Sequence, residues 1–214
     1  MYKHLVVNAF PRSGSVFFAS VLSVNGVYGA QTTSFHLPHI IGNENVDTIV
    51  VIRNPYECIS SLLYKSHNQS EKHNCDNIDI CYKNILSESE QMMDIHLSEY
   101  LLYVNKCLEH NGSKNLYIVD FNEMQTDSSL VFQKVADKFS LKYSHPHSKQ
   151  KTGKEIDDIV RNQMSGYGLM NDKDGHMPRE KTDLRHKVES YVNGLESLKP
   201  IYNQYSYLIN NIKN

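Results

Sequence analysis

Residues 5–22 read LVVNAFPRSGSVFFASVL. Leu5, Val6 and Val7 form an apolar run without polar alternation, the pattern of a strand buried on both faces. Phe10-Pro11-Arg12-Ser13-Gly14-Ser15 then predicts a sharp turn, and the apolar-rich segment from about Gly14 predicts a helix. A strand, a small-residue turn and a helix N-terminus together outline an anion site. First-turn N–H groups lack intrahelical partners, and the helix dipole favours negative charge there. Ser13 and Ser15 add hydroxyl donors, and Arg12 adds a planar cation suited to phosphate or sulfate. The phosphate-loop pattern GxxxxGK[ST] is absent, because no Lys follows Gly14. The plain alternative is the βα turn of any parallel α/β protein, so the rest of the chain has to decide.

The 214 residues suffice for one domain with a sizeable core, and residues 1–214 are read as one unit. A formal charge of −2 excludes a whole-protein basic field of the kind that binds nucleic acid, so any anion site is local. The opening Met-Tyr-Lys-His leads straight into the first strand, which predicts neither a targeting leader nor a membrane span. Cys58, Cys75, Cys81 and Cys107 form no CxxC pair and are read as reduced thiols of a cytoplasmic protein. His145-Pro146-His147 and the His73/Cys75 pair lack a second ligand pair at finger-like spacing, so no metal is expected.

Further along, residues 27–35 predict a second strand ending at His36, where Pro38 prevents continuation. Residues 47–53, DTIVVIR, are the clearest buried strand and run into Arg53-Asn54-Pro55, with Pro55 suited to the first position of a helix reaching about Lys65. Residues 66–83 are polar and read as a loop, and a long helix is expected from about Glu88 to Glu109, stopped near Gly112. Its Met and Tyr residues between 92 and 103 are read as core. Residues 116–121, LYIVDF, predict another buried strand, and Asp127 a cap for a helix with Phe132, Val135, Ala136 and Phe139 inside. Residues 140–182 are polar, with a short helix expected over 155–164, and two amphipathic helices close the chain, the second after Pro200. Strands alternating with helices predict an α/β fold with a mainly parallel sheet flanked by helices, joined by right-handed crossovers. Ligands of such sheets sit beyond the C-terminal strand ends, and Arg12, His36 and Arg53 all follow strand ends.

Three segments together resemble the PAPS-dependent sulfotransferase family, PAPS being 3′-phosphoadenosine 5′-phosphosulfate. Phe10-Pro11-Arg12-Ser13-Gly14-Ser15 matches the family's 5′-phosphosulfate loop, [YF]-P-[KR]-S-G-[ST]. Arg53-Asn54-Pro55, with Ser61 eight residues after the Arg, matches its 3′-phosphate motif, and His36-Leu37-Pro38 stands where the cytosolic branch has its catalytic His. Phe121-Asn122-Glu123-Met124 is similar to the family's Y-E-D-M, without the Tyr hydroxyl. Arg12 stands where the cytosolic branch has Lys, and Phe17 where it has an adenine-stacking Trp. The family's C-terminal R-K-G has its nearest candidate in residues 176–181, with Arg179 as the cation.

The resemblance implies a sulfotransferase fold related to the P-loop NTPases and transfer of SO₃ from PAPS to an acceptor hydroxyl on a sugar or another small molecule. By the same resemblance, the amides of Ser13, Gly14, Ser15, Val16 and Phe17 hold the 5′-phosphate and Arg12 stabilises the leaving oxygen. Arg53, Ser61 and Arg179 hold the 3′-phosphate, and His36 takes the acceptor's proton. His39 is the alternative base, and a structural role for His36, satisfied by a loop carbonyl, stays open. Two rival functions remain: a P-loop kinase-like nucleotide enzyme, which the missing Lys disfavours, and an inactive sulfotransferase-like binding protein.

Overall fold

A computed structural model describes residues 3–15, 18–19, 22, 27–28, 30–69, 78–126, 128–143 and 183–212. Its centre is a four-stranded parallel sheet in the order β3-β1-β4-β5, formed by β1 (Lys3–Ala9), β3 (Ala30–Phe35), β4 (Thr48–Ile52) and β5 (Leu116–Asp120). The chain leaves β1 toward β3 on one side and then crosses to β4 on the other. That reversal makes the C-terminal ends beside β1 the topological switch point, where ligands of such sheets bind.

Both faces of the sheet are covered, which is why β4 reads TIVVI with all five residues buried. Val50, Ile52 and Ile118 pack against α1 (Pro55–Gln69), α2 (Ile78–Glu109), α5 (Asp183–Asn193) and α6 (Leu198–Ile212). Leu5, Val7, Ile49, Val51 and Val119 pack with Phe18 and Leu22, and with α3 (Phe121–Thr126) and α4 (Ser128–Phe139). Strand pleating turns successive β1 side chains to opposite faces, so Asn8 points toward the α2 side. The α/β architecture expected from the alternating pattern is therefore the one present.

Three expectations need correction. Residues 27–35 are not one strand: β2 (Val27–Tyr28) pairs antiparallel with β6 (Lys142–Tyr143), and only β3 joins the main sheet. Gly29 stands between them in the sequence, and a glycine within a strand pattern is a break signal. The polar stretch 66–83 is not all loop, because α1 continues to Gln69 and α2 begins at Ile78, giving it 32 residues. Tyr82 and Ile85 do pack on the core, but Ser87-Glu88-Ser89-Glu90 interrupts the apolar period and hides the first turns. Finally, α6 begins at Leu198, with Pro200 inside its first turn, where a missing N–H costs nothing. The expected cap at Asp127 and the expected helix over 155–164 lie outside the described residues.

Candidate active site

Four strand ends deliver the side chains. β1 leads to the Arg12 turn, β3 to His36, β4 to Arg53, and β5 to Asp120 and Phe121. In the turn, the Ser13 amide donates to the Phe10 carbonyl at 3.1 Å, and the Phe18 amide donates to Gly14 at 2.8 Å, opening the helix. Arg12 and Gly14 both have left-handed backbone, with φ of 69° and 94°. Gly14 has a second reason to lack a side chain: a Cβ there would lie 2.3 Å from the Phe121 ring. The other face of this contact is equally specific, since the Arg53 guanidinium sits 4.7 Å from the centre of the Phe121 ring. Phe121 thus ties the Arg12 turn to Arg53 with its ring alone, and needs no hydroxyl to do so.

The cations are pre-positioned. Arg12 Nε donates to Ser61 Oγ at 3.0 Å. Arg53 donates through Nε to Glu57 Oε2 at 2.7 Å and through a terminal nitrogen to the Arg12 carbonyl at 3.4 Å. Burial, and then the neighbouring Arg53 charge, lowers the Arg12 pKa from its ordinary value; Arg185 acts in the same direction. Three guanidinium groups therefore bear on one region, an arrangement that favours a polyanion. Arg53, Asn54, Glu57, Ser60, Arg185 and Glu189 line a cleft of about 450 Å³ between α1 and α5. Arg185 is held by Glu189 at 3.2 Å, as Arg53 is held by Glu57 one helical turn along.

Helix α2 fixes two strand ends from above. Tyr100 donates its hydroxyl to the Arg53 carbonyl at 2.6 Å, and Tyr103 donates to Asn8 Oδ1 at 3.2 Å. Phe10 packs edge-on against both rings, with centroids 5.2 and 6.2 Å away. At the end of β5, Asp120 Oδ1 accepts the Asn122 amide at 3.1 Å and the Tyr205 hydroxyl at 3.3 Å, anchoring α3 and α6 to the same edge.

His36 is exposed at the end of β3, with Nδ1 2.6 Å from the Ala9 carbonyl. A carbonyl only accepts, so Nδ1 carries a proton, which in the neutral ring puts the lone pair on Nε2. Nε2 has no hydrogen-bond partner among the described residues. His39 lies on the short 3₁₀ turn Pro38–Ile40, exposed to solvent.

Among the residues expected at the site, Arg12, Ser13, Gly14, Ser15, Arg53 and Ser61 come together, and His36 joins them through Ala9. Val16, Phe17 and Arg179 lie outside the described residues, as do His73, Cys75, His145 and His147. Arg185, Tyr100, Tyr103 and Asn8 were missed. Only Asn8 left a signal, as the lone amide in the buried strand LVVNAF.

Beneath the turn, Ser13 Oγ lies 3.2 Å from the Sγ of Cys58, a fully buried free thiol. Burial pushes the Cys58 thiol up to about 11 from an ordinary 9.0, and the Ser13 hydrogen bond opposes this only in part. The folded state thus prefers the protonated thiol. The corresponding stability is intact below about pH 9 and is lost as pH rises through about 11. Within that window the loss is about 1.4 kcal/mol per pH unit. The melting temperature should therefore fall between pH 9 and 11, and less steeply in Cys58→Ala; identical slopes in the two proteins would show that this thiol plays no part.

Comparisons with known proteins bear on the family and on the fold. The family model for the sulfotransferase domain matches residues 29–193, most of the chain. The chain belongs to the sulfotransferase family. Within this sulfotransferase, the matched range takes in His36, Arg53, Ser61 and Arg185 and begins after the Arg12 turn. Among solved structures the chain is similar to mouse sulfotransferase SULT7A1 complexed with PAP, at a TM-score of 0.53 and 14% identity. That similarity covers 96% of this chain and 88% of the mouse protein, and at such identity it bears on the fold. No curated protein matches the sulfotransferase by sequence. Among the described residues, no helix is long and apolar enough to cross a membrane.

Proposed function

We propose that this sulfotransferase moves a sulfuryl group from PAPS to the hydroxyl of a small-molecule or carbohydrate acceptor. The observation that carries the reading is the convergence of the Arg12 turn, Arg53 and Ser61 at one sheet edge, with the Arg12 guanidinium bonded to Ser61 and the Arg53 guanidinium to the Arg12 carbonyl. The solved relative holding PAP, a nucleotide product, has the same fold. The fit of the residues to the nucleotide is chemical as well. A glycine without a Cβ allows close approach at the turn, and Arg12 and Arg53 bring two like charges to the same edge, where a polyanion is favoured.

In this reading the turn amides from Gly14 to Phe17 hold the 5′-phosphate, the Ser13 amide being taken by the Phe10 carbonyl, and Arg53 and Ser61 hold the 3′-phosphate. Arg179 was the cation expected to complete that clamp. Arg185 lines the Arg53 cleft and supplies a cation there as well. The acceptor hydroxyl gives its proton to His36 Nε2 as its oxygen bonds to sulfur. The bond from sulfur to the bridging oxygen breaks, and the charge left on the 5′-phosphate is met by Arg12. Products are the sulfated acceptor and adenosine 3′,5′-bisphosphate. We place the reaction in the cytoplasm, in a single domain spanning 1–214 and without a metal.

Calorimetry with two nucleotides tests the assignment. Arg53→Ala should weaken adenosine 3′,5′-bisphosphate binding by roughly tenfold to a hundredfold, the scale of one charge-assisted set of hydrogen bonds. Adenosine 5′-phosphosulfate, which lacks the 3′-phosphate, should bind wild type and variant alike. Equal weakening of both ligands would remove Arg53 from the 3′-phosphate. Preference for ATP over the bisphosphate would favour the kinase-like alternative, and failure to bind either adenosine bisphosphate or PAPS would leave a non-catalytic relative.

A further inference from the structure

Asn8 is wholly buried in a strand whose neighbours are Val7 and Ala9, yet both ends of its amide reach one residue, Leu37. The ladder between β1 and β3 ends at the pair Asn8 and Phe35. Beyond it, the Asn8 side chain takes over: Nδ2 donates to the Leu37 carbonyl at 2.8 Å, and Oδ1 accepts the Leu37 amide at 3.0 Å. Pro38 follows and has no N–H to offer, so this pair is the last fastening of the segment before it turns away. Oδ1 accepts a second bond, from the Tyr103 hydroxyl. Because one partner only accepts and the others donate, the amide orientation has a single solution.

We propose that Asn8, held by Tyr103, is the positioning residue that sets the His36 imidazole as a base. Leu37 is clamped from one side by Asn8, and the His36 ring is tied on the other through Nδ1 to Ala9, the residue after Asn8. The clamp keeps the ring within reach of that carbonyl, which selects the Nδ1–H tautomer and leaves the lone pair of the neutral ring on Nε2. Free imidazole favours the opposite tautomer, so the selection must come from the protein. A buried amide costs free energy that a leucine of similar size would avoid, and its bonds go to the segment bearing the base. The inference rests on the proposed sulfuryl transfer only for its kinetic consequence; the tautomer it predicts stands independently.

Two measurements test it. In ¹⁵N spectra of the imidazoles, the His36 signals, identified by their absence in His36→Ala, should show a protonated Nδ1 in wild type. They should move toward the Nε2–H form in Asn8→Ala. In turnover, Asn8→Ala should lose roughly tenfold to a hundredfold in kcat and Tyr103→Phe roughly threefold to tenfold, with bisphosphate affinity within about twofold. Placed in a His36→Ala background, the same changes should cost less than about twofold more, because the group they position is gone. Tyr103→Phe removes one oxygen and keeps the ring, so it carries both readouts if Asn8→Ala does not fold. An unchanged His36 tautomer in the variants, or equal kcat losses in both backgrounds, would reduce Asn8 to a scaffold residue. If wild type shows the predicted tautomer but transfers no sulfuryl group, the functional reading fails and the positioning stands.

Discussion

Alanine in place of His36 should lower kcat by roughly a hundredfold to ten-thousandfold, the usual worth of one positioned general base. Bisphosphate affinity should stay within about threefold, because the nucleotide is assigned to the Arg12 turn and to Arg53 with Ser61. The local geometry explains why the effect should fall on turnover. The ring is exposed at a strand end, one nitrogen is spent on Ala9, and the other has no hydrogen-bond partner among the described residues. A histidine serving only the fold would behave differently: losing the Ala9 bond would lower the melting temperature, and affinity and rate would fall together. His39→Ala, on the neighbouring exposed turn, is the control. Near-normal turnover in His36→Ala with a deep loss in His39→Ala would transfer the role to His39.

The second large effect is expected at Arg12. Arg12→Ala should lose roughly a hundredfold to a thousandfold in kcat, the range for deleting a group that meets charge developing in the transition state. The loss of nucleotide affinity should be smaller, since the turn amides and Arg53 remain. Arg12→Lys should keep measurable activity, because a cation still reaches the leaving oxygen, while losing the Nε bond that fixes the guanidinium on Ser61. A variant that loses affinity alone would make Arg12 a ground-state anchor. The two experiments are complementary: one removes the proton acceptor on the acceptor side, and the other the cation on the leaving-group side.

What the sequence disclosed follows from the range of each signal. Buried strands and their following turns are local, so LVVNAFPRSGS and DTIVVIRNP announced both the sheet and the residues at its edge. The grouping of Arg12, Arg53 and Ser61 could be anticipated because parallel strands bring their C-terminal ends to one edge. Arg185 could not. It reaches the Arg53 cleft from α5, more than a hundred residues further along, and nothing in DLRHKVES marks it as different from a solvated arginine. Tyr100 and Tyr103 were correctly placed in the core, but periodicity does not say where a buried hydroxyl points. The start of α2 was obscured because Ser87-Glu88-Ser89-Glu90 is compatible with helix and loop alike, and packing of Tyr82 and Ile85 settled it.

The backbone of Arg12 sits at φ 69°, in a region that suits glycine, and its charge is largely withdrawn from water beside another arginine. Left-handed backbone in a residue with a Cβ costs about 1 kcal/mol, about what the Ser61 bond returns, and burial beside Arg53 holds the pKa of the guanidinium below its ordinary value. A glycine at this position would relax the turn and remove the repulsion from Arg53 in one step. Durability and turnover are therefore opposed at residue 12. A library of this protein sorted only for resistance to heat or protease would drift away from arginine there, and the enrichment of glycine would trace the part of the chain that folding alone would not have chosen.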